Sequence, residues 1–234
     1  MAVLHLRRGW TLALTSIAFF MVALDSLVVI TALPSIHHDL GASLSTLEWT
    51  VNAYTLAYAA GIITAAALGD RYGRRRLFTL GLALFSVASA ACALAPNVTL
   101  LIAFRVIQGV GAAIIMPLSL TILTGAFPRE RRGTIVGLWG GIGGLAVAAG
   151  PLVGGAIAQG LDWHWIFWVN VPIGLAATVL SVVFLSESHG PATRLDLPAV
   201  ALVSGGALGL VWGLVRAGAK GWGNPQALVA LVLG

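Results

Sequence analysis

Two charged residues lie inside long apolar stretches of this 234-residue chain, and their types and positions suit chemistry inside a membrane. Asp25 falls within the apolar residues 10–33, and Arg105 falls within the apolar residues 100–126. A charge at the centre of a bilayer costs about 3 kcal/mol unless it is paired or hydrated, so such residues usually mark functional sites. Two interpretations stay open. Asp25 binds a proton and Arg105, which cannot be deprotonated, tunes it; or the two form a static ion pair between helices.

A third charged cluster, LGDRYGRRR at residues 68–76, separates two apolar stretches. Gly73 permits a backbone turn that a side chain would obstruct, and Asp70 can pair with the neighbouring arginines. Such a turn suits two membrane helices joined on the side where positive charge is retained. Simple charge anchoring accounts for the arginines but not for Asp70 or Gly73, so a structured loop with its own role is the second interpretation.

The elements that must position these residues are membrane helices. Hydrophobic residues make up 59% of the chain and charged residues only 9%, which is too little charge to cover the surface of a water-soluble domain. The sequence therefore predicts an all-α, polytopic membrane protein. The predicted spans are residues 10–33, 49–68, 77–95, 100–126, 134–158, 165–185 and 197–215, with an eighth beginning near residue 226. Because little chain follows residue 226, we expect this to be part of a longer transporter.

The connections predict both domain organisation and orientation. A polar linker at 186–196 divides a six-helix bundle at 10–185 from additional helices at 197–234. With the N-terminus in the cytoplasm, two loop cations lie outside, Arg216 and Lys220. Ten lie inside: Arg7, Arg8, Arg71, Arg74, Arg75, Arg76, Arg129, Arg131, Arg132 and Arg194. This asymmetry predicts a protein of the cytoplasmic membrane with its N-terminus inside, and topology in the lipid bilayer explains the net charge of +5 better than binding to nucleic acid does. The single cysteine excludes a disulfide framework, and we expect no metal site.

Five segments resemble, in the right order, motifs of the major facilitator superfamily and of its fourteen-helix drug:proton antiporter branch. They read LD at 24–25 with ALP at 32–34, AALGDRYGRR at 66–75, RVIQGVG at 105–111, GPLVGG at 150–155 and WHWIFWVNVP at 163–172. The chain departs from the family pattern at Ala66 and Ala146, where glycine is usual. The resemblance implies two six-helix bundles, each built from inverted three-helix repeats, with the C-terminal half not in this chain.

The same resemblance implies a function and assigns roles. It implies proton-coupled efflux of lipophilic or cationic drugs by alternating access, without an enzymatic step and with no cofactor beyond the proton gradient. Proton coupling falls to Asp25 and Arg105. A conformational latch that engages the second half falls to Asp70, Arg71, Gly73 and Arg74. The antiporter motif of the fifth helix, which would contact the second bundle, comprises Gly137, Gly150, Pro151, Gly154 and Gly155.

The substrate cavity is the least readable part of the sequence. An apolar wall with a few aromatic and polar groups suits lipophilic cations. The candidates are Asn52, Tyr54, Tyr58, Gln108, Met116 and Trp139, each with helix packing as its alternative. Two other functions stay open: transport of another small solute by the same superfamily, and a truncated membrane protein that does not transport. An intramembrane enzyme is disfavoured because neither an H-E-x-x-H nor a G-x-S-x-G pattern occurs.

Overall fold

The computed structural model describes residues 2–191 and 197–234, and every regular element in these two ranges is a helix. The helices are α1 (Ala2–Leu40), α2 (Leu44–Tyr72), α3 (Arg74–Ala93), α4 (Val98–Ala126), a short 3-10 helix (Arg129–Arg131), α5 (Arg132–Gly160), α6 (Trp165–Trp168), α7 (Asn170–Phe184), α8 (Leu197–Lys220) and α9 (Pro225–Leu233). Within the described ranges, seven helical segments are long and apolar enough to cross a membrane. The predicted all-α membrane fold is confirmed.

The first helix is longer than the sequence predicts. The predicted first span covers residues 10–33, but α1 continues through Pro34 to Leu40. The helix ends where Gly41 adopts a positive φ of 63° and donates its N–H to the His37 carbonyl at 3.0 Å. Glycine adopts this conformation without the steric cost of a Cβ, so Gly41 rather than the proline ends the helix.

The sixth predicted span, over 165–185, corresponds to one apolar segment, Trp165–Phe184, whose helix is interrupted at a single residue. Val169 separates α6 from α7, and Pro172 lies in the first turn of α7. A proline has no N–H for the preceding turn, and its ring clashes with the carbonyl four residues earlier, so it favours the start of a helix over its interior. The break places Asn170 at the first position of α7, with its side chain turned into the bundle.

The packing is that of two interlocked triplets. Helix α1 packs against α5 and α7, and α4 packs against α2 and α3. If the first three spans correspond to the next three, α1 corresponds to α4, α2 to α5 and α3 to α7. Under this correspondence the contacts of α1 match those of α4, as inverted repeats require. Helices α1 and α4 also contact each other, so they occupy the centre of the bundle.

Close approach of α4 to its neighbours depends on two glycines. A Cβ at Gly109 would lie 2.5 Å from the Tyr54 carbonyl oxygen on α2, and one at Gly111 would lie 2.9 Å from the Phe85 nitrogen on α3. Small residues at such crossings let membrane helices pack backbone to backbone. The part of α4 around Gly109 is therefore in direct contact with α2.

Two apolar clusters fill the bundle, one toward each end. The first includes Phe78, Phe85 and Leu118, and the second includes Ile36 and Phe167. Along α1 the first cluster ends at Val22 and the second begins at Leu24. A layer of buried polar side chains lies between them, and it contains Asp25 and Arg105.

The remaining segments pack on the outside of this bundle. Residues 186–191 cross the junction between α2 and α3, whereas residues 192–196 of the predicted linker, including Arg194, lie outside the described residues. Helix α8 packs on α2, where the hydroxyls of Thr64 and Ser204 are 2.9 Å apart. Helix α9 packs on α8.

Candidate functional site

The structure joins Asp25 of α1 to Arg105 of α4 in a buried ion pair. Arg105 Nη1 donates to Asp25 Oδ2 at 2.6 Å, and neither side chain is exposed. Arg105 Nε donates to the Thr50 carbonyl at 3.0 Å, and its guanidinium lies over the Tyr54 ring at 4.1 Å. The direct contact that the sequence left open is therefore present.

Two amides complete the shell around the carboxylate. Asp25 Oδ1 accepts a hydrogen bond from Gln108 Nε2 at 2.9 Å and another from Asn170 Nδ2, also at 2.9 Å. Gln108 Oε1 in turn accepts from Arg105 Nη1 at 2.8 Å, which closes a ring of three side chains. Both oxygens of Asp25 thus accept hydrogen bonds from side-chain donors, as a carboxylate can.

The pair cannot change its charge without rearranging. A proton on Asp25 would leave the Arg105 cation buried without a counter-charge. Removal of one partner from a buried ion pair destabilises a protein by about 3–5 kcal/mol. Protonation must therefore bring water to Arg105, or move α1 relative to α4. One nitrogen, Arg105 Nη2, is buried and has no hydrogen-bond partner within the described part of the chain.

Sequence reasoning missed part of this network. The sequence marks Asn170 only as one letter of the segment at 163–172 and gives it no role of its own. Its Nδ2 also donates to Ser89 Oγ at 3.2 Å, and that hydroxyl donates to the Phe167 carbonyl at 2.9 Å. An amide in an otherwise apolar span is the signal that could have identified Asn170, whereas nothing in the sequence distinguishes the Phe167 carbonyl.

The six cavity candidates do not form one group. Tyr54, Tyr58 and Met116 line a common cleft of about 290 Å³ between α1, α2 and α4. Trp139 reaches its edge by stacking on Phe19 at 4.1 Å. The other two candidates lie elsewhere: Gln108 is fully buried in the Asp25 network, and Asn52 faces α8.

The charged turn at 68–76 is shorter than its sequence suggests. Asp70 and Arg71 belong to the last turn of α2 and Arg74 begins α3, so Gly73 alone joins the helices, at a φ of 110°. Asp70 Oδ1 accepts from Arg74 Nε at 2.7 Å, which is the predicted pairing of the acid with a neighbouring arginine.

Glu187, which sequence reasoning did not single out, lies against this junction. Its carboxylate accepts the backbone N–H groups of Arg75 at 3.0 Å and Arg76 at 3.2 Å. An acid at this position satisfies free N–H groups in the first turn of α3 and complements the helix dipole. The connection after the sixth span is therefore attached to the junction between α2 and α3.

The glycines of α5 divide between two faces. A Cβ at Gly150 would lie 2.8 Å from Leu27 Cβ of α1, and one at Gly154 would overlap the Thr31 hydroxyl. Gly137 and Gly155 have no such neighbour within 4 Å in the described structure, and Pro151 is exposed. Two of the five motif residues, Gly150 and Gly154, thus pack inside this bundle, and the other three lie on an open surface.

This division predicts a stability effect. Gly154→Val is expected to destabilise the protein by about 1–3 kcal/mol, because the new side chain must displace Thr31 from a packed interface. Gly9→Val in α1, where nothing lies within 4 Å, is the matched control. Thermal unfolding of the purified variants measures the difference, and equal midpoints for the two would show that α5 does not pack on α1 through Gly154.

The sequence profile described as Major Facilitator Superfamily matches residues 15–234. This chain belongs to that superfamily. It is therefore a multi-pass membrane protein, in agreement with its seven apolar helical segments in the described ranges.

Relatives of this superfamily member include antibiotic-resistance proteins. It is 42% identical to the tetracenomycin C resistance and export protein of Streptomyces glaucescens, over 94% of this chain and 42% of that protein. It is 38% identical to the puromycin resistance protein pur8 of Streptomyces alboniger, over 97% of this chain and 46% of that protein. It is 39% identical to the methylenomycin A resistance protein of Bacillus subtilis, over 94% of this chain and 47% of that protein. The chain thus spans less than half the length of these relatives.

Solved transporters share the fold of this superfamily member. The crystal structure of the peptide transporter POT in complex with sulfate matches with a TM-score of 0.67 and 17% identity, over 95% of this chain and 49% of that one. The human organic anion transporter MFSD10 matches with a TM-score of 0.67 and 15% identity, over 95% and 59% respectively. At these identities the likeness establishes the fold alone.

Proposed function

We propose that this chain forms the N-terminal part of a proton-coupled exporter of lipophilic or cationic drugs. The observation that carries the proposal is the fully buried pair of Asp25 and Arg105, whose charge cannot change without rearrangement. The similarity to resistance proteins, one of them named as an export protein, supports drug as the cargo.

Coupling follows from the electrostatics of the pair. A proton that enters from the side of higher proton concentration neutralises Asp25 and releases Arg105 from its counter-charge. The uncompensated guanidinium then favours a conformation in which water or an anionic group reaches it, and α1 moves relative to α4. Loss of the proton on the other side restores the ion pair and returns the protein to its first state, so proton flow drives alternating access.

The drug would bind in the cleft lined by Tyr54, Tyr58 and Met116. Two aromatic rings and a thioether accept flat apolar molecules, and the ring faces attract a cation. Tyr54 contacts both this cleft and the Arg105 guanidinium, so it is the side chain through which occupancy of the cleft and the state of the ion pair can influence each other.

The proposed topology places the N-terminus and the junction at Gly73 on the cytoplasmic side of the cytoplasmic membrane. Residues 10–185 act as one bundle, and the C-terminal half of the transporter supplies the second. The open face of α5 at Gly137 and Gly155 contacts that second half, and the junction of Asp70, Arg71, Gly73 and Arg74 latches onto it in one state of the cycle. Protons, drug and lipid are the partners, and no cofactor is required.

Ethidium efflux from energised cells that carry the full-length gene tests the proposal. Export that stops when a protonophore is added is expected. Export that persists after the protonophore would contradict proton coupling, and the absence of export for several lipophilic cations would contradict drug as the cargo. Cells with an empty vector provide the background rate.

Gly73→Val is expected to slow transport more than it weakens drug binding. Gly73 has a φ of 110°, and a Cβ there would lie 2.9 Å from the Glu187 carboxylate, so valine strains the junction by about 1–3 kcal/mol. Gly133→Val, at an open helical position, is the control. Efflux rate and equilibrium drug binding are measured on the same preparations. Unchanged turnover in Gly73→Val would show that the junction only anchors the helices by its positive charge and has no role in the transport cycle.

A further inference from the structure

A cleft of about 240 Å³ separates the beginning of α2 from the end of α8. Trp212, Arg216 and Lys220 follow one another at four-residue spacing, so they lie on one face of α8. Glu48 and Trp49, in the first turns of α2, form the opposite wall. The cleft lies at the end of the bundle where α1 leads into α2, opposite the junction at Gly73.

The charged groups in this cleft are not paired with one another. Glu48 and Lys220 form no ion pair or hydrogen bond with another residue in the described ranges. Arg216 Nη2 donates to Gln226 Oε1 at 2.6 Å, but its Nε is buried and has no partner among those residues. One anion and two cations thus line a single cleft.

The position of these cations is itself unusual. Arg216 and Lys220 are the two loop cations that the predicted topology places outside, whereas the arginines that set orientation lie at the other end. Retention of positive charge in the cytoplasm therefore does not explain them. Trp49 and Trp212 flank them in the cleft, and tryptophan is the side chain that favours the level of lipid headgroups.

We propose that this cleft binds the phosphoethanolamine headgroup of a membrane phospholipid. The phosphate accepts hydrogen bonds from the guanidinium end of Arg216 and from Lys220, since both cations bind phosphate oxygens strongly. The ammonium group binds Glu48 and the face of the Trp49 ring, whereas the Arg216 guanidinium itself lies over the Trp212 ring at 5.6 Å. The acyl chains extend along the exposed apolar side of α8, where Leu210 is 42% and Leu214 is 52% exposed.

A zwitterionic headgroup satisfies the whole set, whereas a simple anionic headgroup does not. An anionic lipid such as phosphatidylglycerol pairs with the two cations but leaves Glu48 without a cation and close to the phosphate. The presence of both signs of charge in one cleft is therefore what selects a zwitterionic headgroup such as phosphoethanolamine over an anionic one. This inference does not depend on drug export, because its readout is lipid bound to the protein.

Native mass spectrometry tests the inference. The purified full-length protein is delipidated and then titrated with phosphatidylethanolamine or with phosphatidylglycerol. Arg216→Gln with Lys220→Gln is expected to weaken lipid binding by about thirtyfold, the effect of two cations at a headgroup site. Glu48→Gln is expected to abolish the preference for phosphatidylethanolamine over phosphatidylglycerol. Arg129→Gln with Arg131→Gln, two exposed cations at the other end, is the matched control and should bind lipid as wild type does.

Three results would overturn the proposal. The first is equal lipid binding by wild type and the Arg216 and Lys220 double variant; if that variant does not fold, the single change Lys220→Gln, at an exposed position, replaces it under the same criterion. The second is equal binding of the two lipids by wild type. The third is displacement of the lipid by an equal concentration of free O-phosphoethanolamine, which would identify a soluble ligand rather than a lipid.

Discussion

Asp25→Asn is expected to reduce proton-driven drug export to the level of an empty vector. Asparagine keeps the shape of the side chain and a carbonyl oxygen for Arg105, but it can neither bind nor release a proton at that position. The side chain lies at 2.6 Å from Arg105 and is fully buried, so no other carboxylate among the described residues can replace it at this contact. Drug-induced proton release from the purified protein and ethidium efflux from cells measure the two halves of the exchange.

Asp39→Asn is the matched control for this prediction. Asp39 lies on the same helix, is exposed, and accepts a hydrogen bond from Trp163 Nε1 at 3.0 Å that an asparagine oxygen can also accept. The Asp39→Asn variant should export drug at the wild-type rate. Normal protonophore-sensitive export by Asp25→Asn would remove Asp25 from the mechanism, whatever the effect of the variant on stability.

Arg105→Met is expected to produce the largest loss of stability. The variant removes the counter-charge and leaves the Asp25 carboxylate buried with only its two amide donors, a change that costs about 3–5 kcal/mol at other buried pairs. The double variant Asp25→Asn with Arg105→Met removes both charges, so it should recover part of that loss. Thermal unfolding of the three variants and wild type measures the coupling between the two side chains.

Arg131→Met is the control for the loss of an arginine, because Arg131 is exposed at the beginning of α5. A double variant less stable than both single variants would show that the pair does not stabilise the bundle as a unit. A wild-type unfolding midpoint for Arg105→Met would show that water already compensates the charge of Asp25 in the membrane protein.

Some features of Asp25, Arg105 and α1 are visible in the sequence, and others depend on how the helices pack. Asp25 and Arg105 could be recognised because a charge is costly inside an apolar stretch, and that cost is local to the residue. Their direct contact could not be predicted, because it depends on how α1 and α4 cross. The predicted first span ends at residue 33, whereas Gly41 and its backbone conformation decide where helix α1 stops.

The site shows the same limit. Asn170 contacts Asp25 across 145 positions of sequence, and Glu187 caps α3 from 112 positions beyond Arg75. The amide in an apolar span marks Asn170 but does not identify its partner, and an acid near a helix end, such as Glu187, is compatible with many partners. The cavity candidates were selected by residue type alone, and helix rotation then placed Gln108 in the buried network and Asn52 against α8.

The amino-acid sequence by itself determined the membrane class, the approximate spans and the charged residues that a bilayer would not tolerate without a reason. These properties follow from hydrophobicity and charge summed along the chain, which need no knowledge of neighbours. Only the tertiary structure decided which donors surround Asp25, which half of the α5 glycines packs on α1, and that Glu48, Arg216 and Lys220 share one cleft. Those outcomes depend on the rotation and crossing of helices far apart in sequence, and such contacts are set by packing of the whole bundle.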